Sequence, residues 1–294
     1  MIKYDLHVHS NFSSDASQTV EEVFNIAERE GIQYLAICDH DSIDSIPEAK
    51  KIASKYQIVY IPGVELSCST DEFTSLIPMN TGIHILGLNI QFNKVIFNDA
   101  IEHVKNESSH RKTKLVYLLK EMGYEIDFDE LKPLTTSRIK EVLVSKGYFS
   151  DIKQAKQFLN SENITRVLPN IRLHIHEVID LIHKLGGKAI WAHPYCGENK
   201  TFFSHEQVTQ MMDYLISNQI DGFEAFHLYT MDDGKAEKIL EYVDKYNLLY
   251  TIGSDRHHAD NRYGEKYYSF EEKLIPYEKH INGIEQLIKD RLLK

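Results

Sequence analysis

The chain has 294 residues, of which 42% are hydrophobic and 26% charged, and its formal net charge is −11. This length supports a full hydrophobic core in one large domain or in one and a half. The sequence has no apolar run long enough to span a bilayer and no apolar segment of a signal peptide near its start, so we expect a cytoplasmic protein without membrane contact. The acidic balance argues against stable binding of duplex nucleic acid, but metal ions held by acidic side chains would still attract an anionic substrate.

The first third of the chain alternates between strand and helix patterns. A capping box at Thr19 and Glu22 predicts the start of the first helix. The apolar run that ends at Cys38 is typical of a strand buried on both faces. This repeated order predicts an α/β fold with a largely parallel sheet or barrel. The predicted strands span residues 2–7, 34–38, 58–64 and 84–89, and a second helix is predicted over residues 47–56.

The pattern changes between about residue 94 and residue 172, where no segment reads as a buried strand. Helices are predicted over residues 100–122, 137–147 and 152–159. We therefore predict a helical insertion over residues 94–172, set into a domain formed by residues 1–93 and 173–294. A packing role and a role as a lid over the functional site are equally open for this insertion.

The strand and helix alternation resumes after the insertion, which brings the total to about seven strands with helices between them. Strands are predicted over residues 188–192, 222–226 and 249–253, and helices over residues 173–185, 206–217, 235–246 and 284–293.

Side chains of the metal-binding type fall at the predicted strand ends. In parallel β/α folds these carboxyl ends converge on the functional face, and neutral imidazole and carboxylate groups bind zinc, manganese and iron. A set this large exceeds the needs of one tetrahedral ion and indicates two or three divalent metals, which suit phosphoryl chemistry. The residues of this pattern are His7, His9, Asp39, His40, Glu65, His193, Asp255 and His257, with His84 at or near the start of a strand.

The segments that carry these residues resemble the motifs of the PHP family, the polymerase and histidinol phosphatase superfamily of metal-dependent phosphoesterases. The resemblance covers essentially the whole chain and implies a distorted (β/α)7 barrel with a helical insertion domain. It rests on Asp5-Leu6-His7-Val8-His9-Ser10, Cys38-Asp39-His40-Asp41-Ser42, Gly63-Val64-Glu65-Leu66-Ser67, Ala192-His193-Pro194 and Gly253-Ser254-Asp255-Arg256-His257.

The resemblance also implies three metal positions. Asp15 enters on this ground alone, since its place in a polar loop otherwise suggests a turn residue. The first position would use His7, His9, Glu65 and Asp255, the second Glu65, His84 and His193, and the third Asp15, His40 and His257.

One branch of the superfamily fits better than the others. The segment from His84 to Asn89, followed by a helical insertion, resembles stand-alone phosphoesterases that hydrolyse nucleoside 3′,5′-bisphosphates or trim short RNA from its 5′ end. Where that branch usually has Arg-Pro-His, this chain reads Thr136-Ser137-Arg138-Ile139. The departure leaves the bisphosphate specificity open, while the metal chemistry does not depend on it.

The candidates for substrate contact carry weaker signals. Arg138, Arg166 and Arg256 suit bidentate phosphate contacts, but surface ion pairs explain the first two equally well, and Arg256 is expected to point away from the metals. His227 ends a strand and is a candidate proton donor to the leaving oxygen, with a packing role equally open. Base stacking and core packing are both open for Tyr195, Phe202 and Phe203.

We expect an enzyme that hydrolyses phosphate monoesters of a nucleotide or short oligonucleotide. In the expected reaction a hydroxide held by the metals near Glu65 attacks phosphorus in line. Three alternatives stay open: a small phosphomonoesterase of the histidinol phosphate type, an amidohydrolase, which also opens with His-x-His on its first strand, and a metal-binding module without catalysis.

Overall fold

The computed structural model describes residues 4–78, 81–168, 171–230 and 234–259. The chain divides into two compact units. The first runs to Asn98 and resumes at Leu173, and the second spans Asp99–Arg172. The helix predicted over residues 284–293 lies outside the described residues.

The strands belong to the first unit. They are β1 (Tyr4–Val8), β2 (Tyr34–Ile37), β3 (Val59–Cys68), β4 (Ile83–Leu88), β5 (Lys188–Trp191), β6 (Cys196–Gly197), β7 (Thr201–Phe202), β8 (Gly222–Phe226) and β9 (Leu249–Ile252). Seven of them form one sheet in the order β1-β2-β3-β4-β5-β8-β9, and β6 pairs with β7 in a separate hairpin.

The helices fall close to their predicted positions, and the short α6 was not predicted. They are α1 (Val20–Arg29), α2 (Ile46–Ala53), α3 (Lys94–Glu121), α4 (Thr136–Ser145), α5 (Ile152–Leu159), α6 (Glu162–Thr165), α7 (Ile175–Lys184), α8 (His205–Ser217) and α9 (Lys235–Tyr246).

The second unit contains helices and its own hydrophobic core, which includes Leu115, Leu119, Ile139, Leu143 and Ile164. Across the described part of the chain, no helix combines the length and the apolar character that crossing a bilayer requires.

The seven-stranded sheet nearly closes into a barrel. The ends of β1 and β9 meet through two backbone hydrogen bonds: the His9 N–H donates to the Arg256 carbonyl at 2.8 Å, and the Asp255 N–H donates to the His7 carbonyl at 2.7 Å. This architecture confirms the predicted α/β class and the distorted barrel of seven strands.

One strand of the barrel runs in the opposite direction to the others. β4 is antiparallel to both β3 and β5, whereas the remaining neighbours pair in parallel. The connection from β3 to β4 contains no α-helix among its described residues, so no helical crossover returns the chain to a parallel position. The sequence pattern did not predict this reversal.

Two apolar layers hold the barrel together. Its interior is filled by side chains from several strands, among them Leu6, Ala36, Ile61 and Leu86. On the outside, α1 and α2 pack against the sheet through residues that include Phe24. The pairing of β1 with β2 shifts between Asp5 and Val8, and such an irregularity re-aims the side chains that follow it.

The predicted capping box is present at the start of α1. The Thr19 hydroxyl accepts from the Glu22 N–H at 3.2 Å, and the Glu22 carboxylate accepts from the Thr19 N–H at 2.8 Å. Thr19→Ala is therefore expected to lower the free energy of unfolding by about 1 kcal/mol, measured by urea denaturation. Thr19→Ser keeps the hydroxyl and serves as the control, and an equal loss in both variants would contradict the capping role.

Candidate metal centre

The predicted ligand residues meet at the end of the barrel where the parallel strands have their carboxyl ends. His84 lies near the start of β4, and it reaches the same end because β4 runs antiparallel to its neighbours. His7 lies in β1, His9 comes directly after Val8, His40 follows β2, Glu65 lies in β3, His193 follows β5, and Asp255 and His257 follow β9.

Glu65 lies at the middle of this group and is fully buried. We expected it at the end of β3, but β3 continues to Cys68 because β4 pairs with it that far. One carboxylate oxygen, Oε1, lies 2.9 Å from His84 Nδ1 and 3.2 Å from His193 Nε2.

The other oxygen of Glu65 faces three more imidazoles. Its Oε2 lies 3.3 Å from His7 Nε2, 3.1 Å from His9 Nε2 and 3.1 Å from His40 Nδ1. A carboxylate surrounded in this way can bridge neighbouring cations, whereas a neutral imidazole offers one nitrogen lone pair.

One set of ligand atoms matches the first metal position that the resemblance implied. His7, His9, Glu65 and Asp255 each offer one nitrogen or oxygen, and these atoms lie within 4.8 Å of one another. His9 Nε2 is 3.2 Å from His7 Nε2 and 3.1 Å from Asp255 Oδ1. Such convergence of lone pairs is what a bound cation requires.

Two further sets of ligand atoms share His40. One combines His40 with Glu65 and His84, and the other combines it with His9 and His257. His40 Nε2 lies 3.4 Å from His257 Nε2, while its Nδ1 faces Glu65. The resemblance assigned His40 to the third position alone, whereas the geometry places it between two sets.

Asp15, which only the resemblance suggested, lies beside the third set. Its carboxylate oxygens are 3.8 Å from His40 Nε2 and 3.7 Å from His257 Nε2. The Asp15 side chain is 59% exposed, so this set opens to solvent, in contrast to the buried surroundings of Glu65.

A second layer of acceptors orients the imidazoles. His193 Nδ1 donates to the Cys196 carbonyl at 2.7 Å, and His257 Nδ1 donates to the Asp255 carbonyl at 2.9 Å. His9 Nδ1 lies 3.1 Å from the Ser13 hydroxyl. Acceptors at Nδ1 place the proton there and leave the Nε2 lone pair directed at the centre.

Sequence reasoning missed the most buried member of this layer, Glu224. Its Oε1 lies 3.1 Å from His7 Nδ1, and its Oε2 accepts from the His193 N–H at 2.8 Å. The signal was present, since a glutamate stands between Phe223 and Ala225 in a predicted buried strand.

Only glycine fits at position 253, beside this second layer. A Cβ atom on Gly253 would lie 2.3 Å from both Glu224 Oε1 and His7 Cβ. Asp5 closes the same region, because its carboxylate accepts from the Ser254 N–H at 2.9 Å and from the Ser254 hydroxyl at 2.7 Å.

Asp39, part of the second sequence motif, anchors the loop after β1. Its carboxylate accepts from the Ser10 N–H at 2.8 Å and from the Ser13 hydroxyl at 3.0 Å. It thereby holds the loop that begins at His9, and Ser13 of this loop contacts the His9 ring.

Two of the candidate ligands have a left-handed backbone. The φ angles are 33° at His193 and 52° at Asp255. Such conformations cost roughly 1–3 kcal/mol for non-glycine residues and persist where the surrounding structure enforces them. The backbone therefore also fixes the direction in which these two side chains leave the strand ends.

Burial and the neighbouring charges shift the pKa values of the imidazoles in opposite directions. Burial disfavours protonated His9, but the hydrogen bond to Asp255 and the charges of Glu65 and Asp255 outweigh it and raise its pKa to about 9. Burial also opposes protonation of His7, yet the surrounding carboxylates, Glu65 first, hold its pKa well above the ordinary value. Burial lowers the pKa of His40 to about 4.

The carboxylates stay ionised in this arrangement. Burial alone would raise the pKa of Glu65, but the charges of His7, His84 and His40 hold it well below its ordinary value. The metal-free centre thus balances buried carboxylates with protons on imidazoles, and a divalent cation would take over the role of those protons.

The residues present fit a divalent metal ion. Within the described part of the chain, Glu65 Oε2 and His84 Nδ1 are buried and make no hydrogen bond. Glu65 Oε2 nevertheless lies 3.1 Å from His40 Nδ1, and His84 Nδ1 lies 2.9 Å from Glu65 Oε1. Buried polar atoms are normally satisfied, and a cation would satisfy both. The mixture of imidazole and carboxylate suits zinc, manganese or iron.

His227 lies beside the ligand set in a buried position after β8. Its Nδ1 accepts from the Tyr229 N–H at 3.3 Å, which puts the proton of the neutral ring on Nε2. That Nε2 lies 4.0 Å from Asp255 Oδ2. Burial lowers the pKa of His227 to about 4 despite the nearby Glu224 carboxylate, so the ring is neutral near pH 7.

The three candidate arginines have other contacts. Arg256 pairs with Glu30 at 3.4 Å and donates to the His258 carbonyl at 3.2 Å, on the side of the strand away from the ligands, as we expected. Arg138 donates to the Glu130 carbonyl at 2.8 Å and pairs with Glu141. The substrate roles of Arg138, Arg166 and Arg256 stay predictions, and the contacts of Arg256 favour a structural role.

Comparison with known proteins identifies relatives of similar length. A family model described as the PHP domain matches residues 5–290. A 5′-3′ exoribonuclease of Haemophilus influenzae is 31% identical over 260 residues, which cover 87% of this chain and 90% of that protein. A phosphoribosyl 1,2-cyclic phosphate 1,2-diphosphodiesterase of Eggerthella lenta is 26% identical over 268 residues, which cover 86% of this chain and 93% of that protein.

A solved structure shows the same fold. The structure of a protein described as a metal-dependent phosphoesterase, from Bifidobacterium adolescentis, matches with a TM-score of 0.69 and 23% identity over 90% of this chain and 91% of that chain. At this identity the likeness concerns the fold alone.

The second layer gives a first prediction for the centre. Glu224→Gln keeps the shape but removes the charge that orients His7, so we expect the affinity for Zn²⁺ or Mn²⁺ to fall by about 10- to 100-fold. Calorimetric titration of the metal-free protein measures this change. Glu48→Gln, an exposed substitution on α2, is the control, and equal affinities in the two variants would rule out the orienting role.

The raised imidazole pKa values give a second prediction. A metal ligand must be a neutral imidazole, but the pKa of about 9 keeps His9 protonated at pH 7, so metal binding is expected to release protons and to strengthen as the pH rises toward about 9. In the metal-free protein, the same raised pKa contributes stability that is full below the ordinary value of 6.5 and is lost as the pH rises through about 9. Calorimetry in buffers of different ionisation heat measures the released protons, and their absence at pH 7 would contradict this account.

Proposed function

The chain belongs to the PHP domain family of metal-dependent phosphoesterases, and on that premise we propose that its substrates are phosphate monoesters of nucleotides or of short RNA ends. The observation that carries the proposal is the Glu65 carboxylate, buried among five imidazoles with Asp255 beside two of them. The two relatives described above are named for RNA and for a phosphoribosyl cyclic phosphate, which supports a nucleotide-like substrate.

We assign two or three divalent ions, of zinc, manganese or iron, to this centre. Divalent cations bound there would acidify a water molecule and neutralise the charge that develops on the phosphoryl oxygens. In this proposal Glu65 is the shared ligand of neighbouring positions. The full ligand set is His7, His9, Asp15, His40, Glu65, His84, His193, Asp255 and His257, with His40 able to face two positions.

The protein contributes more than ligands to the reaction. Burial around Glu65 excludes bulk water, so interactions with a phosphoryl group are stronger there than in solution. Asp15 lies at the exposed side of the ligand set, so in this proposal the substrate reaches the metal ions from that side.

His227 is the residue best placed to contact the leaving oxygen. Its pKa of about 4 means that the neutral ring, with Nε2–H directed at the centre, is the form present near pH 7. A neutral imidazole donates a hydrogen bond to a developing alkoxide, as in other enzymes with a depressed histidine pKa. We propose this hydrogen-bonding role for His227 in place of transfer from a charged imidazolium.

Phosphate release from a panel of compounds tests the proposed function. We expect the metal-loaded protein to release phosphate from adenosine 3′,5′-bisphosphate or from a 5′-phosphorylated dinucleotide. Removal of metal by a chelator should abolish this activity, and Glu65→Gln should lower kcat by at least about 100-fold. Glu48→Gln is the matched control, since it makes the same chemical change on an exposed helix face.

The alternatives have distinct outcomes in the same panel. Release from histidinol phosphate but from no nucleotide would replace the proposed substrate class. Metal binding at full stoichiometry without release of phosphate or of a nucleotide from any compound of the panel would refute phosphoesterase activity and favour a metal-binding module.

A further inference from the structure

An exposed aromatic side chain lies on the β6–β7 hairpin next to the metal centre. Of the three aromatic residues that the sequence marked for base stacking, Tyr195 is 1% exposed and Phe203 is 6% exposed, so both belong to the core. Phe202 is 61% exposed. It is therefore the member of the three that offers its ring to a ligand.

The hairpin connects Phe202 to the ligand residues. Phe202 pairs across the hairpin with Cys196. The Cys196 carbonyl accepts from His193 Nδ1 at 2.7 Å. One strand of the hairpin thus contacts the centre while the other carries the exposed ring.

Tyr229 completes a continuous path of rings from the centre to the surface. Its ring lies edge to face with Phe202 at a centroid distance of 5.4 Å. On its other side, Tyr229 lies 5.0 Å from the His227 ring, and His227 lies 5.5 Å from the His193 ring. The Tyr229 N–H also donates to His227 Nδ1, which fixes this order of rings.

Packing does not account for the position of Phe202. A phenylalanine gains stability from burial in proportion to the apolar area removed from water, and most of this side chain stays in water. The edge-to-face contact with Tyr229 leaves at least one face of the Phe202 ring uncovered by that neighbour. Aromatic faces of this kind are the surfaces on which nucleobases stack.

We propose that the exposed ring of Phe202, held by its edge-to-face contact with Tyr229, is a stacking platform for the nucleobase of a substrate whose phosphate occupies the metal centre. This inference rests on the proposed function and adds to it a binding site for the base. Since every base has an aromatic face, the platform selects for the presence of a base and not for its identity. Phosphate esters without an aromatic group would bind through the metals alone.

Binding measurements separate the base from the phosphate. The metal-loaded protein is titrated with etheno-adenosine 5′-monophosphate, whose fluorescence reports stacking, and with ribose 5-phosphate as a competitor. Phe202→Ala is expected to raise the Kd of the fluorescent nucleotide by roughly 5- to 100-fold and to leave that of ribose 5-phosphate unchanged. Phe202→Trp restores an aromatic face and should retain nucleotide binding.

The control is Phe92→Ala, which removes another exposed phenylalanine outside the hairpin and should change neither affinity. Equal nucleotide affinity in Phe202→Ala and the unaltered protein would overturn the platform, even if hydrolysis occurs. Equal losses for both compounds would also overturn it, because they would show damage to the centre. If the unaltered protein hydrolyses no compound of the nucleotide panel while Phe202→Ala weakens only the binding of the fluorescent nucleotide, the platform stands and the proposed hydrolysis fails.

Discussion

The structure depends on a single costly arrangement, the full burial of the Glu65 carboxylate. A buried, unpaired carboxylate would cost several kcal/mol, so the protein surrounds this one with imidazoles that are protonated or ready to share a cation. Those imidazoles come from β1, from the ends of β2 and β5, and from the start of β4. The barrel therefore positions imidazole nitrogens from four strands around the two carboxylate oxygens of Glu65.

The same electrostatic demand extends outward to the second layer. Glu224 neutralises the far side of His7 and also holds the His193 backbone, so one buried carboxylate serves two ligand residues. Gly253 leaves the space that this carboxylate occupies. The orientation of the ligand side chains is thus fixed by Glu224 and Gly253, which are not candidate ligands themselves.

Sequence reasoning identified the residues whose signal is local. The His-x-His pattern of His7 and His9, and the polar residues after apolar strands, indicated the centre because carboxyl ends of parallel strands converge. The direction of β4, and with it the end of the barrel at which His84 lies, depends on the path of the connection between β3 and β4. No local sequence pattern predicts that path. Asp15 came from resemblance alone, since a loop carboxylate has no periodicity that marks it.

Residues that act through distant partners were the hardest to predict. Glu224 stood in a strand pattern that signals burial, but its partners lie far away in the sequence, so its role emerged only from the fold. The candidate arginines show the opposite case. Arg138 and Arg256 carry the right chemistry for phosphate, yet neighbouring carboxylates pair with their charges.

The two hydrogen bonds that join β1 to β9 have a consequence for the order in which the molecule assembles. They connect residues near the two ends of the described chain, and in each bond the donor is the backbone N–H of a candidate ligand, His9 or Asp255. During synthesis, the histidines of β1 emerge long before Asp255 and His257, so a growing chain holds an incomplete set of metal ligands. In the proposed centre, Asp255 is one of the four ligands of the first metal position, so a chain truncated before this residue would lack one of the groups that bind the metal there.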